Sequence, residues 1–239
     1  MNSPAISAIL FDKDGTLFDF AATWNGWAAN LITRLSEGDP ACARALATAL
    51  RFDLAKTAFE PDSPVIAGSG AEVARLIADA LAESDTQAIE EILSEEAETA
   101  PLAEPVPLAP LMLRLRRSGL KLGVATNDSE AAARSHLSRA GIDATLHFIA
   151  GYDSGHGAKP DPGPLLAFAD AMGLPPSACA MVGDSTHDLA AAKAAGFRAV
   201  GVLTGPARAA ELAPFAEVVF PDIGHLEDWL VRQRPPSPL

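Results

Sequence analysis

Short apolar runs alternate with amphipathic helical stretches along most of this chain, and that alternation restricts its fold more than any other feature. Ile6 to Phe11, Leu120 to Ala125, Ala178 to Val182, Arg198 to Val202 and Glu217 to Phe220 read as strands, with Leu146 to Ala150 a weaker candidate. Helical stretches lie between them, at about Pro107 to Ser118, Ser129 to Ala140, Pro164 to Met172 and His187 to Ala195. Gly119, Gly141, Gly173 and Gly196 stand where helix C-termini favour glycine. This spacing predicts an α/β fold, with a parallel sheet covered by helices on both faces.

One region breaks the rhythm. From about Phe20 to Glu98 the pattern is Ala-rich and helical, with no convincing strand. Trp24, Trp27, Leu31 and Leu35 fall at helical spacing, and Ala71 to Ala97 holds two helices or one broken near Ser84-Asp85. Breakers fill Pro61 to Gly70, and Pro101, Pro105, Pro107 and Pro110 mark a stiff return linker. The expected division is a Rossmann-like, three-layer core over 1–19 and 101–239, with an inserted all-helical domain over 20–100. The proline-bearing tail from Arg234 to Leu239 is expected to fray.

Composition excludes several partners. Net charge is −13, from 31 acids against 18 bases, which argues against nucleic acid and against anionic membranes. No stretch approaches the ~20 apolar residues of a membrane span. The run Ala8 to Phe11 has no basic residue before it and ends in Asp12, so it reads as a buried strand and not a signal peptide. Cys42 and Cys179 lack CxxC spacing and suit two buried thiols in the cytoplasm. A chain this acidic repels phosphorylated molecules at long range. Any phosphate site must therefore build its own positive field.

Four pieces carry chemistry, each at the C-terminal end of a predicted strand, where ligands bind in open α/β sheets. In Phe11-Asp12-Lys13-Asp14-Gly15-Thr16-Leu17, two acids one residue apart follow a buried strand. In an extended segment both point to one side, and a divalent cation would make both tolerable. The same residues also suit a solvated Asp-Gly turn. In Val124-Ala125-Thr126-Asn127-Asp128, a hydroxyl and helix-start N–H groups form an anion cradle or simply an N-cap. Lys159-Pro160-Asp161-Pro162 presents a lysine from a stiff loop, or only a surface charge. In Val182-Gly183-Asp184-Ser185-Thr186-His187-Asp188, a strand ends in Gly-Asp with a second acid one helical turn on, and Asp184 capping the helix is the plain alternative.

In this order and spacing the four pieces resemble the haloacid dehalogenase superfamily, in particular its phosphoglycolate-phosphatase-like branch. The resemblance runs from Ile6 to about Val202, and the inserted helices match that family's cap. It implies a Mg²⁺-dependent phosphatase acting on a small phosphorylated metabolite, phosphoglycolate-like or a sugar phosphate, through an aspartyl-phosphate. Asp12 would be the nucleophile, and Asp14 would serve as acid and then base. Mg²⁺ would sit on Asp12, the backbone carbonyl of Asp14, and Asp184, while Asp188 holds a metal-bound water or orients Lys159. Thr126, the N–H of Asn127, and Lys159 would bind the phosphoryl oxygens, and Lys13 would contribute mainly a backbone N–H.

Substrate choice would fall to the cap, with Phe20, Trp24, Gly68, Ser69 and Gly70 as the candidate residues. A Trp24–Trp27 pair at helical spacing also suits the cap's own core. Phe20 departs from the small polar residue that close phosphoglycolate phosphatase relatives carry there, which weakens the transfer of that substrate. His156 and His187 are expected at the surface or behind the residues that touch substrate. A sugar phosphomutase shares all four motifs. A haloalkanoate dehalogenase lacks the acids at Asp14 and Asp184, a P-type ATPase needs membrane spans, and a non-catalytic phosphate-binding protein has no need of complete motifs. Monomer and homodimer are both compatible with this reading.

Overall fold

The computed structural model describes residues 5–66, 68–82 and 85–233; the tail from Arg234 and the expected break at Ser84 lie outside the described residues. Six strands form one parallel sheet: β1 (Ala8–Phe11), β4 (Lys121–Ala125), β5 (Phe148–Ala150), β6 (Cys179–Gly183), β7 (Arg198–Val202) and β8 (Val218–Phe220). Their order is β5-β4-β1-β6-β7-β8. The chain leaves β1 to one side for β4 and returns to the other side for β6. The strand order therefore reverses at β1, and a crevice opens at the C-terminal ends of β4, β1 and β6.

Side-chain alternation assigns each strand to two cores. Ile9, Phe11, Leu122, Val124, Ala180, Val182, Val200 and Val202 face one side, where α5 (Leu108–Arg117) and α10 (Leu226–Arg232) cover them. Ala8, Leu10, Ala125, Cys179, Met181 and Ala199 face the other, under α7 (Gly163–Met172), α8 (Thr186–Ala195) and α9 (Ala209–Leu212). That is the three-layer arrangement. Fully buried Phe11 and Phe168 illustrate its driving force, each contributing about 2–3 kcal/mol by leaving water.

Residues 20–100 build a second hydrophobic cluster from α1 (Phe20–Ser36), α2 (Pro40–Leu50), α3 (Gly70–Leu81) and α4 (Thr86–Glu98). Among its buried members only Ala132, on α6 (Glu130–Arg139), belongs to the sheet-bearing part. Asp19 starts α1 by accepting the Ala22 N–H at 2.8 Å, while its own N–H donates to the Ala103 carbonyl at 2.8 Å. The outgoing and returning chain thus run side by side. One feature was not anticipated: β2 (Phe52–Asp53) and β3 (Ala58–Phe59) form a hairpin with Phe52 and Phe59 edge to face at 5.0 Å. Two-residue strands are too short for alternation to reveal them. Among the described residues, no helix is long and apolar enough to cross a membrane.

Candidate active site

Asp12 leaves β1 at the point where the strand order reverses, and it is buried. Lys159, on the loop after β5, donates from Nζ to Asp12 Oδ1 at 2.5 Å and to Asp188 Oδ1 at 2.7 Å. Carboxylate oxygens of Asp12, Asp184 and Asp188 lie within 4.8 Å of one another. Three buried acids face one buried lysine, an excess of negative charge that burial makes costly. Burial accordingly pushes Asp12 up to about 7; Lys159 opposes the shift, and Asp188 and Asp14 add to it. Asp184 also lies well above the carboxylate range, through burial and then through Asp12 and Asp188. Although burial opposes its charge, Lys159 is held charged by its two carboxylates. A hard cation with oxygen ligands suits this donor set.

Local structure explains the placements. Ser185, and not Asp184, caps α8, in a capping box with Asp188. Asp188 therefore accepts the Ser185 N–H on Oδ2 at 3.0 Å and keeps Oδ1 for Lys159. Asp184 stays free of the cap and points into the crowded turn. A β-carbon at Gly15 or Gly205 would collide with its carboxylate, and Gly15 also sits at φ +84°, where glycine is favoured.

A second buried network lies beneath. Lys13, expected to offer mainly its backbone, has a fully buried side chain. Its Nζ is 2.8 Å from Asp14 Oδ1, 3.0 Å from Asp128 Oδ2 and 3.0 Å from His136 Nδ1, and it stands 5.2 Å from the Trp24 ring centre. His136 Nε2 reaches the Ala97 carbonyl, 2.6 Å away at the end of α4. Burial, then the Lys13 charge, lowers the His136 pKa to about 4, so the imidazole is neutral. A lysine can only donate. His136 therefore accepts at Nδ1 and carries its proton on Nε2, toward Ala97. This links the Asp12–Asp14 loop to the helical part through one side chain.

Thr126 follows β4, is buried, and accepts the Asp128 N–H at 3.1 Å. Asn127 clamps the backbone of Lys159 with two bonds, Nδ2 to the carbonyl at 2.8 Å and Oδ1 from the N–H at 2.9 Å. A cavity joins these loops to the helices. Asp12, Asp14, Thr126, Asn127, Lys159 and Asp184 border it from the sheet side. Phe20, Trp24, Gly68 and Gly70 border it from the helical side. Ser69 does not: it caps α3, and its hydroxyl is spent in a capping box with Glu72. Trp24 and Trp27 belong both to the helical core and to the cavity wall. His187 lies on the wall, whereas His156 is exposed beside Phe148.

A model of haloacid dehalogenase-like hydrolases matches residues 6–196, which include Asp12, Thr126, Lys159 and Asp184. The chain belongs to that family. Over half of its length this haloacid dehalogenase-like hydrolase is 39% identical to the phosphoglycolate phosphatase of Rhodospirillum rubrum, across half of that protein. It is 32% identical to the phosphoglycolate phosphatase of Shigella boydii, with 84% of this chain and 82% of that one covered. Its fold matches CbbY from Rhodobacter sphaeroides, a structure in complex with phosphate, at a TM-score of 0.69 and 23% identity over 92% of this chain and 96% of that one.

Within this hydrolase, sequence reasoning missed two residues. Asp128 was read only as part of a helix-start motif, yet it stands half-buried against Lys13, and desolvation raises its pKa against the pull of that lysine. His136 gave no signal at all, because a lone histidine inside a helix is unremarkable and its lysine partner is 123 residues away.

Proposed function

We propose that this haloacid dehalogenase-like hydrolase is a phosphomonoesterase of the cytoplasm that cleaves a small phosphorylated metabolite through Asp12. The observation that carries this reading is the contact of Asp12 with Lys159 at 2.5 Å, at the rim of a cavity and beside two further buried acids. The names of relatives that span most of the chain favour hydrolysis over phosphomutase chemistry. The two cysteines, both free, suit a reducing compartment.

In the first step an Asp12 carboxylate oxygen attacks phosphorus, the bond from phosphorus to the alcohol oxygen breaks, and Asp14 gives that oxygen a proton. In the second, Asp14 takes a proton from water, whose oxygen attacks the aspartyl-phosphate and frees inorganic phosphate and Asp12. Lys159 and Thr126, with the Asn127 N–H, hold the phosphoryl oxygens, and Asp188 with Asn127 fixes where Lys159 points. Asp12, the Asp14 carbonyl and Asp184 would hold Mg²⁺, which supplies positive charge against the phosphoryl oxygens when bound. Residues 20–100 act as a cap that shields the reaction from bulk water.

Turnover of p-nitrophenyl phosphate tests the reading. It should require Mg²⁺, stop on chelation, return on adding the metal back, and vanish in Asp12→Asn. Turnover surviving in Asp12→Asn would exclude Asp12 as nucleophile.

A further inference from the structure

Resting on the phosphatase reading above, we infer that the substrate's leaving group is uncharged and largely apolar, so that phosphoglycolate is a poor substrate of this enzyme. The cavity wall carries Asp12, Asp14, Glu90, Asp128, Asp184 and Asp188. Among the described residues of that wall, Lys159 is the one lysine or arginine, and both Asp12 and Asp188 already hold its ammonium. Lys13, behind the wall, is enclosed by Asp14, Asp128 and His136. His187 is the remaining basic side chain there, and Glu72 lies within electrostatic reach of it. A metal ion would be engaged with the phosphoryl group. A carboxylate on the leaving group would then enter a partly desolvated space with no cation to receive it, facing Glu90 instead.

The helical wall points to what does fit. Phe20, Trp24, Trp27, Val65, Ile66 and Leu93 present an apolar surface. Trp24 and Trp27 are buried, and among the described residues their indole N–H groups are buried donors without an acceptor. Those donors are closed off, so the rings are what Trp24 and Trp27 offer to the cavity, and rings favour an apolar group over a carboxylate. Glu90, the acid on the helical side, accepts from the Tyr152 hydroxyl at 3.3 Å, and a charged leaving group of either sign would give up its water against the apolar side chains of that wall. The site is therefore complementary to a phosphomonoester of a neutral alcohol with an apolar face.

The test compares kcat/KM of the full chain with Mg²⁺ for benzyl phosphate, phosphoglycolate and phosphoethanolamine. Benzyl phosphate should exceed both others by at least about tenfold, the scale on which a buried group left unpaired discriminates. If phosphoglycolate or phosphoethanolamine equals or outruns it while p-nitrophenyl phosphate is still hydrolysed, this inference is overturned and the phosphatase reading stands. If p-nitrophenyl phosphate itself is not hydrolysed, the phosphatase reading fails and this inference falls with it. Glu90→Lys, at a half-buried position, places a cation on the wall. It should shift the kcat/KM ratio several-fold toward phosphoglycolate; an unmoved ratio would also overturn the charge argument.

Discussion

The two walls of the cavity are built on opposite principles. On the sheet side, nearly every polar atom is bound to another: Lys159 to Asp12 and Asp188, Lys13 to Asp14 and Asp128, Asn127 to the backbone of Lys159. On the helical side the wall is aromatic and aliphatic, with two indole donors left over. The contrast separates chemistry from choice. A reaction at phosphorus needs charges held in fixed places, and buried charges stay fixed only when each has partners. An apolar helical surface discriminates by shape, at little electrostatic cost.

The largest effect expected of breaking the sheet side is Asp12→Asn. Turnover should fall by a factor on the order of 10⁴ or more, as when a covalent nucleophile is removed. Thermal melting should hold or rise, because one excess buried charge is gone; a collapse of the fold would mean that Asp12 is structural.

Lys159→Met should come next. It strands Asp12 and Asp188, and breaking a buried pair from one side costs about 3–5 kcal/mol. Urea unfolding should show that loss without metal and a larger recovery on adding Mg²⁺ than the unaltered protein shows. An equal response to Mg²⁺ in both would remove the cation from this cluster.

The link between the walls can be tested through His136. Its folded pKa of about 4 lies below the ordinary 6.5, so between those values the unfolded chain binds a proton that the folded one does not. The contribution is complete above pH 6.5 and is lost as pH falls toward 4, by roughly 3 kcal/mol in all. Asp12 and Asp128 shift upward and act in the opposite sense, so the difference between the unaltered protein and His136→Gln isolates the histidine. That difference in unfolding free energy should shrink across the same window, and a flat difference would leave His136 charged or exposed. The smallest effect belongs to Ser69→Ala, which removes only a helix cap. Stability should drop by about 1 kcal/mol with kcat unchanged, and a fallen kcat would return Ser69 to the substrate wall.

How far the sequence could be read follows from the distance over which each signal acts. The six sheet strands were legible because their apolar runs and the glycines ending the helices are local, and their bounds moved by only a residue or two. Asp12, Thr126 and Asp184 stand directly after strands, and parallel pairing brings such ends together; Lys159 instead lies well along the loop between β5 and α7, and is carried to Asp12 by the fold. The hairpin at Phe52 and Phe59 was not, since each strand has two residues. Ser69 heads the pattern Ser-x-x-Glu that marks a helix start, and it caps α3 instead of bordering the cavity.

The chain's order of residues, then, determined by itself which groups carry charge at the ends of β1, β4 and β6, because a strand's period and its terminal motif are written within a few consecutive positions. Tertiary structure alone decided that Lys13 is enclosed by Asp128 and His136, that Asp188 shares its two oxygens between a helix cap and Lys159, and that Trp24 faces both a core and a cavity. Those facts depend on residues far apart in sequence meeting where water is excluded. Only there does the energy of an unpaired charge or donor grow large enough to fix who partners whom.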